Sequence, residues 1–180
     1  MESLRGRLLV AGGGLFDPNF RRAVILVADH DEDGAAGVVL NRRSDVTVGH
    51  AAPALTSLVP AEELLYVGGP VQPQSAVVLA DFRHPDLPDR PVFGSIGLLT
   101  GDEVAEVLRG IRRARVYAGY SGWAPGQLDA EVQGDSWLVE DPAPEDVFTS
   151  DPEGLWSAVV RRKGRAFSML ALMPDDPSLN

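Results

Sequence analysis

Apolar positions in this chain come mostly in short runs cut by turn-forming residues, a pattern that predicts strands more often than helices. Arg7 to Ala11 reads as a first strand, stopped by Gly12-Gly13-Gly14. Asp17-Pro18-Asn19-Phe20 reads as a turn, because proline fixes its own φ and Asp and Asn side chains bond nearby backbone. The wholly apolar run Ala23 to Ala28 predicts a central strand. Asp31-Glu32-Asp33-Gly34 supplies a tight turn and Gly37 to Leu40 returns, so residues 23–40 predict a β-hairpin. Further strands are expected at Tyr66-Val67, Ala76 to Ala80, Ile96 to Leu99, Val116 to Gly119 and Trp137 to Val139. Gly68-Gly69-Pro70 reads as a rigid loop, and Asp81 to Pro91 as a polar, proline-rich one. Val48 to Leu58 has weak helical character, broken at Pro53.

Two segments carry a helical period with start signals. Thr100 to Glu103 is a capping box, followed by Val104, Val107, Leu108 and Ile111 on one face. Ser150 to Glu153 is a second box, followed by Leu155, Trp156, Val159 and Val160, with Gly164 as a left-handed stop. A short helix is expected to begin near Asp129. Tyr120 to Leu128 then falls between a strand and that helix, a junction where mixed proteins often place binding residues. The early hairpin among mixed elements predicts an α+β fold rather than a regular βαβ array. No linker or repeat divides the 180 residues, so one domain is expected, with an acidic tail over 174–180.

Composition narrows the chemistry. The absence of cysteine excludes disulfides, thiol catalysis and thiolate metal sites. No run of eighteen apolar residues appears and no leader is read at the N-terminus, so a cytoplasmic protein without a membrane partner is expected. A net charge of −10 argues against general binding to nucleic acid. Two basic clusters, Arg109 to Arg115 and Arg161 to Arg165, are placed at the ends of the two predicted helices, where cations complement the dipole.

Individual motifs fall short of a catalytic set. Asp29, Asp31, Asp33 and Gly34 match the opening of a calcium loop, but Leu40 stands where a bidentate glutamate belongs. A hairpin turn with surplus acids accounts for them better, and His30 beside them reads as a surface histidine. Gly12-Gly13-Gly14 is followed by neither a Lys-Ser/Thr pair nor a dinucleotide fingerprint. Gly119-Tyr120-Ser121-Gly122-Trp123 nearly spells a nucleophile elbow, but Trp123 takes the last glycine's place. His30, His50 and His84 are too scattered for the spacing to select a base or a metal site. Asp17 with Arg21 or Arg22 is expected to be a structural pair or a holder of an anion. Tyr120, Trp123, Gln127 and Trp137 either line a pocket or fill a corner of the core.

Taken together, several blocks resemble the AlgH/YqgE family of bacterial proteins. They are Leu8 to Ala11, Asp17 to Arg22, His30 with Gly34 to Arg42, Gly68 to Val71, Gly119 to Trp123 with Gly126 to Leu128, and Trp137-Leu138. The blocks run in the family's order over about residues 7–156. The resemblance implies a single α+β domain whose branched, mixed and largely antiparallel sheet folds as a pseudo-barrel with helices outside. It implies a cytoplasmic protein and brings no reaction with it, although some members carry a label of transcriptional regulator. Ser121 departs from the family's usual alanine, which weakens a serine nucleophile, and Asp129 replaces the usual glutamate after Gln127-Leu128.

The sequence therefore points to a non-enzymatic binding or regulatory module without a cofactor or metal, taking a small molecule or a protein as partner. The candidate residues are Asp17, Phe20, Arg21, Arg22, His30, Asn41, Gly69, Pro70, Tyr120, Trp123 and Gln127. They would form a cleft where the Asp17–Arg22 loop, the Gly68–Pro70 loop and the Tyr120–Leu128 segment converge. The alternatives are a hydrolase using Ser121 or Asp17 with His30, and a direct DNA-binding regulator.

Overall fold

A computed structural model describes residues 2–99, 110–164, 167 and 169–172. Its frame is one branched, mostly antiparallel sheet. The strands are β1 (Leu8–Ala11), β2 (Val24–Asp31), β3 (Gly34–Val39), β4 (Arg43–Thr47), β5 (Leu64–Val67), β6 (Val71–Phe82), β7 (Arg90–Phe93), β8 (Ile96–Leu99), β9 (Ile111–Trp123) and β10 (Trp137–Glu140). Along the main path they lie in the order β10-β1-β2-β3-β9-β6-β8-β7, and β4 and β5 branch off at β9.

The branch follows from the length of β9. Its first part pairs with β6 on one side, from Ile111 to Ala118, and with β5 in parallel at Tyr117 and Ala118. Its last residues, Ser121 to Trp123, pair instead with Gly37 to Ala35 of β3. A sheet of this many twisted strands curls. Here β7 comes round to β2, where Arg90 meets Asp29 at 3.5 Å. The N-terminal segment sits in that seam. Gly6 donates its N–H to Val27 O at 2.8 Å, and the Arg5 side chain donates to Pro91 O. The expected α+β class and folded, branched sheet are what the structure has.

The α-helices among the described residues are short: α1 (Val48–Ala51), α2 (Gln127–Gln133), α3 (Pro144–Val147) and α4 (Pro152–Arg162). In α4, Leu155, Trp156, Val159 and Val160 are buried as the periodicity predicts. The main core joins them to β1, β2 and β3, where Leu8 to Ala11 and Val24 to Val27 are at most 1 % exposed. A smaller core joins Val48, Val59 and Leu65 to Val78 and Val116 beneath the β4–β5 branch.

Several expectations are corrected. The Tyr120–Trp123 segment is not a junction loop; it continues β9, and the helix begins at Gln127, before the expected Asp129. Ile111, expected on the buried face of a helix, and Arg112, Arg113 and Arg115 lie on that strand. The cap of α4 is Asp151, whose carboxylate accepts from Gly154 N at 3.0 Å, one residue after the expected Ser150. Arg43 to Thr47 is a strand for which the sequence carries no expectation. The helix expected from Thr100 and the acidic tail lie outside the described residues. Among those described, no helix is long and apolar enough to cross a membrane.

Candidate functional site

The geometry of the site starts from two glycines. Gly119 has φ 68°, a left-handed value inside a strand, and Gly69 has φ 155°. A Cβ on Gly69 would fall 2.2 Å from the carbonyl carbon and oxygen of Tyr120, and one on Gly119 would fall 2.6 Å from Gly69 O. Only glycine lets the two backbones approach this closely. The ladder between β9 and β6 is irregular here, with Val71 opposite Tyr120 and the next pair at Ala76 and Ala118. An irregularity of this kind re-aims side chains. Tyr117 is fully buried before it, and Tyr120 after it is half-buried beside an open recess.

That recess has a volume of about 440 Å³. Ala28, Ala36, Val77, Arg90, Leu98 and Tyr120 are among the residues around it, so β2, β3, β6, β7, β8 and β9 all contribute. It adjoins a shallower depression of about 410 Å³ that shares Asp29, Ala36 and Tyr120 and adds Asp31 and Asp33. The walls of the deeper recess are mostly aliphatic, and the charged residues lie where the two adjoin. Asp29 and Arg90 pair across the seam, each half-exposed, while Asp31 and Asp33 are exposed. Among the described residues no three His, Asp or Glu side chains converge as a metal ion would require.

Trp123 belongs to a different environment. Its indole is 7 % exposed and stacks on Phe20 at 6.4 Å between centroids, while Trp137 meets both rings edge-on at 5.8 and 6.2 Å. The indole N–H groups of Trp123 and Trp137 both donate to Glu131 Oε2, at 2.9 and 2.8 Å. Gln127 completes the arrangement, donating from Nε2 to Glu131 Oε1 at 2.8 Å and accepting Ala124 N–H at 3.0 Å. These aromatics therefore fill a corner of the core beneath α2, and Glu131 organises them.

The Asp17–Arg22 loop is tied to the end of β3. Phe20 and Arg21 donate their N–H groups to Asp17 O, and Asn41 bridges the loop to β2, accepting Val24 N–H and donating to Arg22 O. Arg42 donates to Arg21 O at 2.8 Å, and the Arg22 guanidinium lies 4.6 Å over Trp156. Burial lowers the pKa of Arg42 from the ordinary arginine value, against the opposing pull of Asp17.

His30 is not on the surface. It is 5 % exposed, its Nδ1 accepts Leu4 N–H at 2.9 Å, and its Nε2 faces Asp129 Oδ2 at 3.4 Å. The strand's alternation explains the correction: Asp29 and Asp31 turn to the recess side, and His30 between them turns inward under α2. Ser121 is fully buried and donates its hydroxyl to Gly68 O at 3.2 Å.

The candidates thus meet in pairs. Phe20 meets Trp123, Gly69 meets Tyr120, and Asn41 meets the Asp17–Arg22 loop, while Pro70 is exposed beside Val71. Of these residues Tyr120 borders both depressions, and Trp123 borders the shallower one. Asp29, expected only as a surplus acid of the hairpin turn, is part of the recess. Glu131 and Arg90 were not expected at a site: Glu131 had one signal, its i, i+4 spacing from Gln127, and Arg90, in a proline-rich stretch, had none.

The family described as AlgH-like matches residues 8–168, and the chain belongs to that family. A UPF0301 protein of Streptomyces coelicolor is 43 % identical over all of this chain and 97 % of its own length. One from Mycobacteroides abscessus is 40 % identical, covering 97 % of this chain and 87 % of that protein. Among solved structures, a Corynebacterium diphtheriae protein superposes with a TM-score of 0.84 at 30 % identity, over 95 % of this chain and 93 % of its own. The solution structure of the AlgH protein from Pseudomonas aeruginosa gives 0.70, also at 30 % identity, over 97 % and 98 %.

Proposed function

We propose that this protein is a non-enzymatic binding module of the bacterial cytoplasm. It holds a small ligand in the recess at the end of the curled sheet, with Tyr120 at the lip. One observation carries the reading: residues from six strands surround a single recess of about 440 Å³, within the range of about 300–1,000 Å³ typical of small-molecule sites. On this reading Gly69 and Pro70 seat Tyr120. Phe20, Trp123 and Gln127 brace the other side of β9, and Asp17, Arg21, Arg22, His30 and Asn41 fix the flanking strands. Any regulatory role acts through the bound ligand.

The alternatives have less support. A hydrolase would need Ser121 at a surface, but its hydroxyl is fully buried and engaged with Gly68 O. Direct DNA binding would need free cations. Arg113 contacts Asp81 and Glu145, Arg115 donates to Val147 O and Thr149 O, and the net charge is −10.

The test is a thermal-shift screen of small molecules against the wild type and Tyr120→Ala. Hits that raise the wild-type melting temperature should lose most of that shift in the variant. Equal shifts in the two proteins would contradict the assignment.

A further inference from the structure

The chemistry of the recess selects among ligands, and this step rests on the reading of the recess as a binding site. Its walls are Ala28, Ala36, Val77, Leu98 and Leu99, which suit an apolar body. Its charged lip is the adjoining depression, which shares Asp29, Ala36 and Tyr120 with it and adds Asp31 and Asp33. Arg90 is the cation of the lining, and it already pairs with Asp29 at 3.5 Å, which leaves Asp31 and Asp33 uncompensated by it. Tyr120 stands between the apolar and acidic parts, bordering both, and the face of a tyrosine ring attracts a cation. The turn holds the acids in place, since Asp31 Oδ1 accepts Asp33 N–H at 2.9 Å. The net charge of −10 repels anions approaching from a distance and favours cations.

We infer that the recess takes a small organic cation, an ammonium head on an apolar body, with the body among Val77, Leu98 and Ala36 and the head between Tyr120 and the Asp31–Asp33 lip. A carboxylate of the same shape would bring its charge to this acidic lip and would have to compete with Asp29 for Arg90. A neutral analogue would keep the apolar contacts and lose the electrostatic part. Attraction between partly exposed charges weakens with salt, so the preference for the cation shrinks as ionic strength rises.

The test compares three probes of one shape, 4-phenylbutylamine, 4-phenylbutanol and 4-phenylbutyrate. Each is titrated by NMR into the full chain, into Asp31→Asn/Asp33→Asn and into Tyr120→Ala. The asparagines keep the acceptor that holds the turn, so this variant should fold as the wild type does. The amine should bind tightest. Its affinity should fall about tenfold in the double asparagine variant, an effect sized for two partly screened charges, and the alcohol should bind both proteins alike. Equal binding of all three probes, still lost in Tyr120→Ala, would keep the site and overturn the cation. Tightest binding of the carboxylate would do the same. Binding of no probe at the recess, or binding indifferent to Tyr120→Ala, would overturn both the cation and the site.

Discussion

Trp123 and Trp137 share a single acceptor: both indole N–H groups end on the same oxygen of Glu131, at 2.9 and 2.8 Å. This joins the end of β9 to the start of β10 through α2, strands that are not neighbours in the sheet. A buried indole N–H left without a partner costs about 1–3 kcal/mol. Glu131→Ala should therefore lower stability by about 2 kcal/mol in a denaturant titration, with a red shift in tryptophan emission. Glu131→Gln keeps one acceptor oxygen and should cost about half as much.

The seat of Tyr120 makes its own prediction. A methyl group at Gly69 would meet the peptide of Tyr120 at 2.2 Å, where only backbone could give way. Gly69→Ala should cost more than about 1 kcal/mol. It should also shift the amide signals of Tyr120 and Ser121 before those of β1, which packs elsewhere.

Ser121 should prove dispensable. Its hydroxyl bonds Gly68 O, but that carbonyl also accepts Val39 N–H at 2.9 Å. Ser121→Ala leaves the carbonyl partnered and should cost less than about 1 kcal/mol in thermal melts. Ligand binding at the recess should not change. A loss of hydrolytic turnover on this substitution would revive the hydrolase.

Alkaline pH should act through Tyr117. Burial pushes its phenol well above the ordinary tyrosine value, with the nearby Arg115 opposing. Above about pH 10 the unfolded chain loses this proton while the native state keeps it, so the native state is disfavoured as pH rises. The slope from this one group approaches about 1.4 kcal/mol per pH unit. Tyr117→Phe should flatten the fall in the urea midpoint between pH 9.5 and 11, and should cost little at pH 7, because the hydroxyl's bond to Val147 O is long at 3.5 Å. An unchanged alkaline slope would contradict this.

The parts legible in the sequence are those where local signals agree. The hairpin over residues 23–40 combines an apolar run, an Asp-Gly turn and a return strand, and the face of α4 follows the helical period. Elsewhere local and tertiary preferences diverge. Gly119 and Gly122 disguise the second half of β9 as a loop, because glycine weakens a strand in isolation. Of the two, Gly119 serves the close approach of Gly69, while a Cβ on Gly122 would meet only side-chain atoms of Val71 and Tyr120 at ordinary contact distance. β4, with the sequence Arg-Ser-Asp-Val-Thr, is a mostly exposed strand and shows no apolar alternation. The recess was not legible at all. It draws on six strands from residue 28 to residue 120, and only the sheet's curl brings them together. Tyr120 was found because an aromatic residue amid glycines marks a special backbone, while Arg90 and Asp29 meet only across the seam.

The most direct test of the account is a map of where small molecules touch the protein. In an amide NMR titration with the amine probe, the largest shifts should fall on Ala28, Asp29, Ala36, Val77, Leu98 and Tyr120. Shifts centred instead on Arg43, Glu62 and Arg115, which line a separate depression beside the β4–β5 branch, would contradict it.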